Sequence, residues 1–283
     1  MAALAPQEIS RLVELAEANA FADWWNAVSE EVASQFGMQH RHLGSATALA
    51  MSGLDIPLFN RVLGLGVVEP ATEEMIDRIA ALYAPSGNTF IVQLAPGAQP
   101  ADLPGWLEQR GMRRGDNWVK VYRGNKAPPD IPTDLRIEPI GPEYAEAFAQ
   151  VGLAAFGMPP ALGPMLVAVV GRPRWRTYLA FDGDTPVATA SLFVHDGVGW
   201  LGVGATLPSH RRRGAQGALM ARRIRDGIEM HCNWFVTETG EETAANPNPS
   251  YHNMLRTGFE LAHLRANYIG KGSSPAPRGG AGR

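Results

Sequence analysis

The sequence holds a single cysteine, Cys232, in 283 residues, which excludes an internal disulfide framework and fits a reducing compartment. Standing at the end of an apolar helical face, Cys232 reads as a buried small hydrophobe rather than a nucleophile. No run of about 18 apolar residues occurs, and Glu8, Glu14 and Glu17 stand where a secretory signal would carry positive charge. The expected setting is therefore cytoplasmic, with no membrane partner. An excess of basic residues is also missing: a formal net charge of -3 and a pI near 6.2 argue against a general binder of nucleic acid or anionic membranes. No Gly-x-x-x-x-Gly-Lys-Ser/Thr loop is present, and Gly202-x-Gly204 is followed by Leu207 where a dinucleotide fingerprint needs its third glycine. Metal-ligand spacing is lacking as well. His40-x-His42 is the one close pair, and without nearby cysteine or carboxylate ligands no metal is expected.

What is present is an ordinary globular composition, 45% hydrophobic and 19% charged, at a length that suggests about two domains. One stretch organises the rest. Val198-Gly-Trp-Leu-Gly-Val-Gly-Ala-Thr-Leu207 is an apolar, glycine-rich strand pattern that Pro208 ends by removing a backbone donor. Beyond it, Gly217, Ala218, Ala221, Ile224, Ile228 and Cys232 mark the small-residue face of a helix that begins near Gly214. Between strand and helix lie Arg211, Arg212 and Arg213. A helix N-terminus with unpaired N–H groups, a favourable macrodipole and untitratable positive charge is a site for a small anionic ligand.

The stretch resembles the central motif of the GNAT superfamily of N-acetyltransferases, Gln/Arg-x-x-Gly-x-Gly/Ala after a strand ending in x-Pro. Here it reads Arg211-Arg-Arg-Gly214-Ala-Gln216, with Gln216 in place of the expected Gly or Ala and Gly217 one residue later. The order of elements around it supports the resemblance over about 135 residues. The expected strands are 135–140, 177–181, 186–195, 198–207, 234–238 and 260–269, and the expected helices 142–156, 161–170, one from Gly214, and 249–257. The fold class expected is α/β of the α+β type, a GNAT-like mixed, mostly antiparallel central sheet flanked by helices. Residues 134–270 would form this domain, preceded by a smaller or degenerate α/β domain at 1–123 and the proline-rich linker 124–133. Residues 271–283 read as a disordered tail.

In the first domain the expected elements are amphipathic helix over 6–36, strands 45–52 and 58–68, helix 73–83 capped by Thr72, strand 89–94, helix 101–110 and strand 118–123. Trp106-Leu-Glu-Gln-Arg-Gly111-Met parallels Met254-Leu-Arg-Thr-Gly258-Phe, each followed by a strand ending in tyrosine, as in a duplicated fold. The basic glycine loop is not duplicated. Glu69, Glu73 and Glu74 around the corresponding helix start would repel a pyrophosphate.

The resemblance implies acetyl-CoA as co-substrate, a small amine-bearing acceptor, and direct attack of the amine on the thioester. It assigns the pantetheine and carbonyl to the strand end at Ala205, Thr206 and Leu207, and the pyrophosphate to the loop and helix start: Arg211, Arg212, Arg213, Gly214, Ala215, Gln216, Gly217 and Ala218. Arg213 or Arg222 could reach the ribose phosphate. Asn248 would cap the helix that Pro249 opens and could contact the pantetheine. The family's acid is a tyrosine at the position held here by Met254. Tyr251, one turn earlier, either replaces it or packs beside Met254 and Leu255. Glu238 is the candidate base, or else a loop cap or partner of Arg256; His195, His210 and His252 are alternatives. A non-catalytic acyl-CoA-binding sensor is the rival function. The oligomeric state is not readable.

Overall fold

The computed structural model describes residues 4–272. Helix α1 (Pro6–Ala27) opens on a proline, with the Glu8 carboxylate accepting from the Ala5 N–H at 2.7 Å. Helix α2 (Glu30–Phe36) and the hairpin β1 (Met38–Leu43) and β2 (Ala46–Met51) follow. Strand β1, Met-Gln-His-Arg-His-Leu, has no apolar alternation and was not legible beforehand. Of the strand expected at 58–68, only β3 (Arg61–Leu63) pairs. Pro57–Phe59 is a 3-10 turn, and Gly64 and Gly66 turn the chain out of the sheet with φ of 75° and 73°. Next come α3 (Glu73–Tyr83), whose N-cap Thr72 accepts from the Met75 N–H at 3.3 Å, β4 (Thr89–Leu94), α4 (Leu103–Gln109) and β5 (Arg113–Gly124).

The second half runs β6 (Arg136–Ile140), α5 (Ala145–Phe156), α6 (Gly163–Val167), β7 (Trp175–Asp182), β8 (Thr185–His195) and β9 (Val198–Thr206). It closes with α7 (Ala215–Glu229), β10 (Trp234–Gly240), α8 (Pro249–Arg256) and β11 (Glu260–Lys271). The tail expected from 271 lies outside the described residues, apart from Lys271, which ends β11, and Gly272. No helix of the described residues is long and apolar enough to cross a membrane.

These elements divide into two compact units, and neither is one stretch of sequence. One comprises the chain up to Ser29 with Trp118–His263; the other comprises Glu30–Asn117 with the chain from Leu264. Helix α1, expected within an N-terminal domain of 1–123, therefore packs in the first unit. The reason is its aromatic face. Phe21 lies 5.5 Å from Trp200 and Trp24 lies 6.2 Å from Trp175, ring centre to ring centre, and the Trp24 indole donates to Met165 O at 2.7 Å. Burying one such side chain contributes about 4–6 kcal/mol of transfer free energy.

In the first unit the strand order is β5-β10-β9-β8-β7-β6, antiparallel throughout except for the parallel pair β9/β10. One face of this sheet sets Leu192, Leu201 and Phe235 against Leu219 and Ile224 of α7, with Cys232 buried among them. Trp175, Phe193 and Trp200 lie on the other face with α1. The second unit orders β1-β2-β3-β4-β11, again antiparallel except for one parallel pair, β3/β4. Each parallel pair is bridged by a crossover helix, α7 in the first unit and α3 in the second, as parallel connections require.

Candidate active site

In the first unit β9 and β10 pair over only three positions, Val198↔Trp234, Gly199↔Phe235 and Trp200↔Val236, although β9 continues to Thr206 and β10 to Gly240. The two strands separate beyond Trp200. The Thr237 hydroxyl donates to Leu201 O at 2.8 Å and closes the base of the opening. On its other side β9 carries a bulge against β8: Thr189 pairs with Ala205 and Ser191 with Gly202, so Val203 and Gly204 oppose a single residue. Val203 takes φ of 50°, a conformation that costs a β-branched residue roughly 1–3 kcal/mol. The bulge is pinned from two directions. The Thr189 hydroxyl donates to Val203 O at 3.0 Å, and Arg223 Nη1 of α7 donates to Ser191 O at 3.0 Å and Gly202 O at 3.2 Å.

The strand passes to α7 through a 3-10 turn at Pro208–His210, extended Arg211, and left-handed Arg212 and Gly214, with φ of 65° and 81°. Gly214 is the N-cap, so the helix starts one residue later than its expected beginning. A Cβ at Gly214 would lie 2.3 Å from Pro132 O, because the linker crosses directly over the turn. Thr133 Oγ1 fastens it there, donating to Arg213 O at 2.7 Å. The first-turn amides of α7 thus stand at the end of the strand that separates from β10, and a dipole of about half a positive charge accompanies them.

The three arginines have different fates. Arg213 is gripped by Asp182, at 2.7 and 3.2 Å, and by both oxygens of Asp134. Its guanidinium is held further into the charged form by these two carboxylates, and Arg213 in turn holds both carboxyls below their usual range. Arg222 donates to Asp226 at 2.8 Å and to Ile137 O. Both guanidinium groups, either of which could reach a ribose phosphate on the sequence reading, serve as intramolecular clasps in this structure. Arg211 Nε donates to Thr206 O at 3.4 Å, and Arg212 is exposed. Gln216, the departure from the family pattern, reaches back to the strand and donates to Thr206 Oγ1 at 3.0 Å. The Leu207 N–H is spent on Val187 O at 2.9 Å, which removes it as a donor to a ligand. Ala205, Thr206, Ala215, Gly217 and Ala218 remain grouped where strand gives way to helix.

Asn248 is committed as well. Its Oδ1 accepts from the Ser250 and Tyr251 N–H groups, and its Nδ2 donates to Thr239 Oγ1 and Gly240 O, at 2.9 and 2.6 Å. These bonds fill the cap role expected of it. A consequence follows for Tyr251. Its turn of α8 is tied to the end of β10, beside the opening, while its ring packs at the rim of the core that buries Met254.

Glu238 lies on β10 just past the last β9/β10 pair. Its Oε2 is 2.9 Å from Lys120 Nζ, directly across on β5, and it accepts the Trp200 indole N–H at 3.1 and 3.2 Å. Lys120 also binds Glu17 of α1 at 2.8 Å, with both side chains fully excluded from solvent and that of Glu238 8% exposed. Arg256, expected as one alternative partner of Glu238, donates instead to Asn253. Among the alternative bases, His195 sits 3.5 Å from Asp196, His210 sits 3.3 Å from Asp182, and His252 pairs with Glu242 at 2.8 Å. Sequence reasoning missed Lys120, Glu17 and Trp200. The available signal was Glu17 itself, a carboxylate on the Val13, Ala20, Phe21 and Trp24 face of α1.

In the second unit the corresponding separation of β3 and β4 is filled by the protein's own backbone. After β3, Gly66 O accepts the Gln99 N–H and the Ala71 N–H donates to Gln99 O, both at 2.8 Å, and a Cβ at Gly66 would meet Gln99 O at 2.5 Å. The loop after β4 is laced onto the segment leading to α3.

No protein-family model and no curated protein matches the sequence. Solved structures do match, over nearly the whole chain. A GCN5-related N-acetyltransferase from Kribbella flavida is 17% identical with a TM-score of 0.62, over 91% of this chain and 95% of that one. Another from Sphaerobacter thermophilus is 18% identical with a TM-score of 0.60, over 97% and 96%. A tandem GNAT protein from the clavulanic acid biosynthesis pathway is 14% identical with a TM-score of 0.60, over 96% and 95%. The chain has the GNAT fold. At these identities the likeness establishes architecture, so within the GNAT fold the chemistry of this chain has to be argued from its own residues.

Proposed function

We propose that the protein is an N-acetyltransferase that moves an acetyl group from acetyl-CoA to a small amine, with the cofactor site in the first unit. The observation that carries this reading is the early end of the β9/β10 pairing together with the left-handed turn that sets the N-terminus of α7 at the same place. Acetyl-CoA would bring the activated acyl group. The residues present fit it: amides from Gly214 to Gly217 and the side chains of Arg211 and Arg212 for the pyrophosphate, and the Gly204–Thr206 backbone for pantetheine and carbonyl. In the reaction the acceptor nitrogen forms a bond to the carbonyl carbon, the C–S bond breaks, and CoA leaves with a proton. Glu238 takes the proton lost by the amine, and Tyr251 supplies one to the departing sulfur. The second unit is read as a degenerate copy, its corresponding crevice filled by its own Gln99 loop, and the protein as cytoplasmic.

Met254, buried where the family places its acidic tyrosine, favours one other reading, a non-catalytic acyl-CoA sensor. Calorimetric titration with acetyl-CoA and CoA, paired with thiol release in the presence of a panel of amines, separates the two. Replacing Gly214 or Arg213 would test packing, because Pro132, Asp134 and Asp182 depend on them. Arg212→Glu is the informative variant. Reversing one exposed charge near the pyrophosphate should weaken CoA binding about tenfold, equivalent to about 1.4 kcal/mol. Absence of CoA binding by the intact protein would refute the reading; binding without thiol release would favour the sensor.

A further inference from the structure

Arg223 is fully buried on α7, and among the described residues no carboxylate lies within ion-pair distance of it. Its partners are three backbone carbonyls: Leu219 O at 3.2 Å on its own helix, Ser191 O at 3.0 Å on β8 and Gly202 O at 3.2 Å on β9. A buried cation without a counter-ion is costly to keep, and a methionine or leucine would fill the same space without that penalty. Where it sits is informative. Ser191 and Gly202 are the last regular pair before the bulge, and a Cβ at Gly204 would lie 3.6 Å from Arg223 Nη2. Burial lowers the guanidinium only to about 10, so it is charged at neutral pH.

We propose that Arg223 is a positioning residue for acyl transfer: its guanidinium, anchored on α7 through Nε and donating through Nη1 to β8 and β9, fixes the β9 bulge, and so sets how the Gly204–Thr206 backbone meets the thioester carbonyl. This inference rests on the acyltransferase reading. It goes beyond that reading by assigning a role to a residue that does not touch substrate. Nη1 alone donates to the carbonyls on both adjacent strands while Nε, held in the same plane, donates to Leu219 O on α7; a lysine, with a single nitrogen, can occupy only one of these two donor positions. The Thr189 hydroxyl on Val203 O is the second pin of the same bulge.

The test uses acetyl-CoA labelled with carbon-13 at the carbonyl, bound to the full chain, and compares intact protein with Arg223→Met, Arg223→Lys and Thr189→Val. Affinities for CoA and acetyl-CoA are measured in parallel. In the intact protein the bound carbonyl resonance should be displaced from its free position. Arg223→Met should return it most of the way while CoA affinity changes by less than about threefold, and Arg223→Lys and Thr189→Val should return it part of the way. A displacement that survives in Arg223→Met overturns the proposal, as does a loss of CoA affinity equal to the loss for acetyl-CoA, which a purely structural role would produce. Should Arg223→Met fail to fold, Arg223→Lys decides: a partial return supports the role and an unchanged resonance overturns it. An intact protein that binds no CoA condemns the acyltransferase reading itself, a different result from either of these.

Discussion

Lys120→Met tests the charge network on the α1 face of the first unit. Lys120 sits between Glu17 at 2.8 Å and Glu238 at 2.9 Å, with no side-chain exposure of its own. Methionine keeps the length of the lysine stem, with sulfur in place of one methylene, and removes the ammonium, so two buried carboxylates lose the donor that faces them. Breaking a buried pair in this way costs about 3–5 kcal/mol, because desolvation of the remaining charge is no longer offset. For a unit of this size 1 kcal/mol shifts the midpoint by about 2–4 °C, so thermal unfolding should move down by roughly 10 °C. Urea unfolding followed by tryptophan fluorescence supplies the free energy, since Trp200 donates to Glu238. Glu17→Gln and the double variant complete the cycle. Removing the Glu17 charge should recover part of the Lys120→Met loss, with a coupling energy of about 1–3 kcal/mol. A Lys120→Met cost below about 1 kcal/mol, or strictly additive effects, would refute the argument that these charges hold one another.

Three further outcomes are expected. Arg213 lowers the carboxyl pKa values of Asp134 and Asp182, so the stability these groups contribute is present above the ordinary carboxyl value of 3.8 and is lost as pH falls through their lowered values; the difference in melting temperature between intact protein and Arg213→Ala should be largest near neutrality and shrink below pH 3.8. Gly214→Ala combines a left-handed backbone with a clash against Pro132 O, and should destabilise the protein by about 1–3 kcal/mol in chemical denaturation. Burial pushes the Cys232 thiol up to about 11, so maleimide labelling at pH 7 should proceed only at the rate of unfolding and accelerate sharply in urea.

Local chemistry made much of this molecule readable in advance. Thr72 and Asn248 were expected as caps from composition and spacing, and both accept first-turn N–H groups. The strand, arginine turn and helix of the 198–229 region follow from β-branched and glycine content, Pro208 and the small-residue face. What was not legible depends on partners distant in sequence. Nothing near Arg213 announces Asp134 and Asp182, so its pairing with these two carboxylates was not legible. Lys120 lies in a strand of alternating residues and meets Glu17, 103 positions away. The 58–68 apolar run read as one strand because its length and composition allow it, while the glycine turns at 64 and 66 cut it to three residues.

The two parallel strand pairs show how one topology can be opened or closed by loop chemistry. Both β3/β4 and β9/β10 separate after a few paired residues, and both are followed by a crossover helix. Past β9 the chain carries Arg211 and Arg212 into a left-handed turn, and its Gln216 and Thr206 side chains bond to each other at the strand end. Past β3 the chain carries Glu69, Glu73 and Glu74, and the Gln99 backbone donates to Gly66 O and accepts from the Ala71 N–H. An anion would meet fixed N–H dipoles and arginine charge in one case, and carboxylates and an already satisfied backbone in the other. Opening the second crevice would require breaking two backbone hydrogen bonds and reversing the local charge, and the first needs neither change. That asymmetry, more than the shared architecture, is the physical ground on which the proposed acetyl-CoA site is assigned to the first unit.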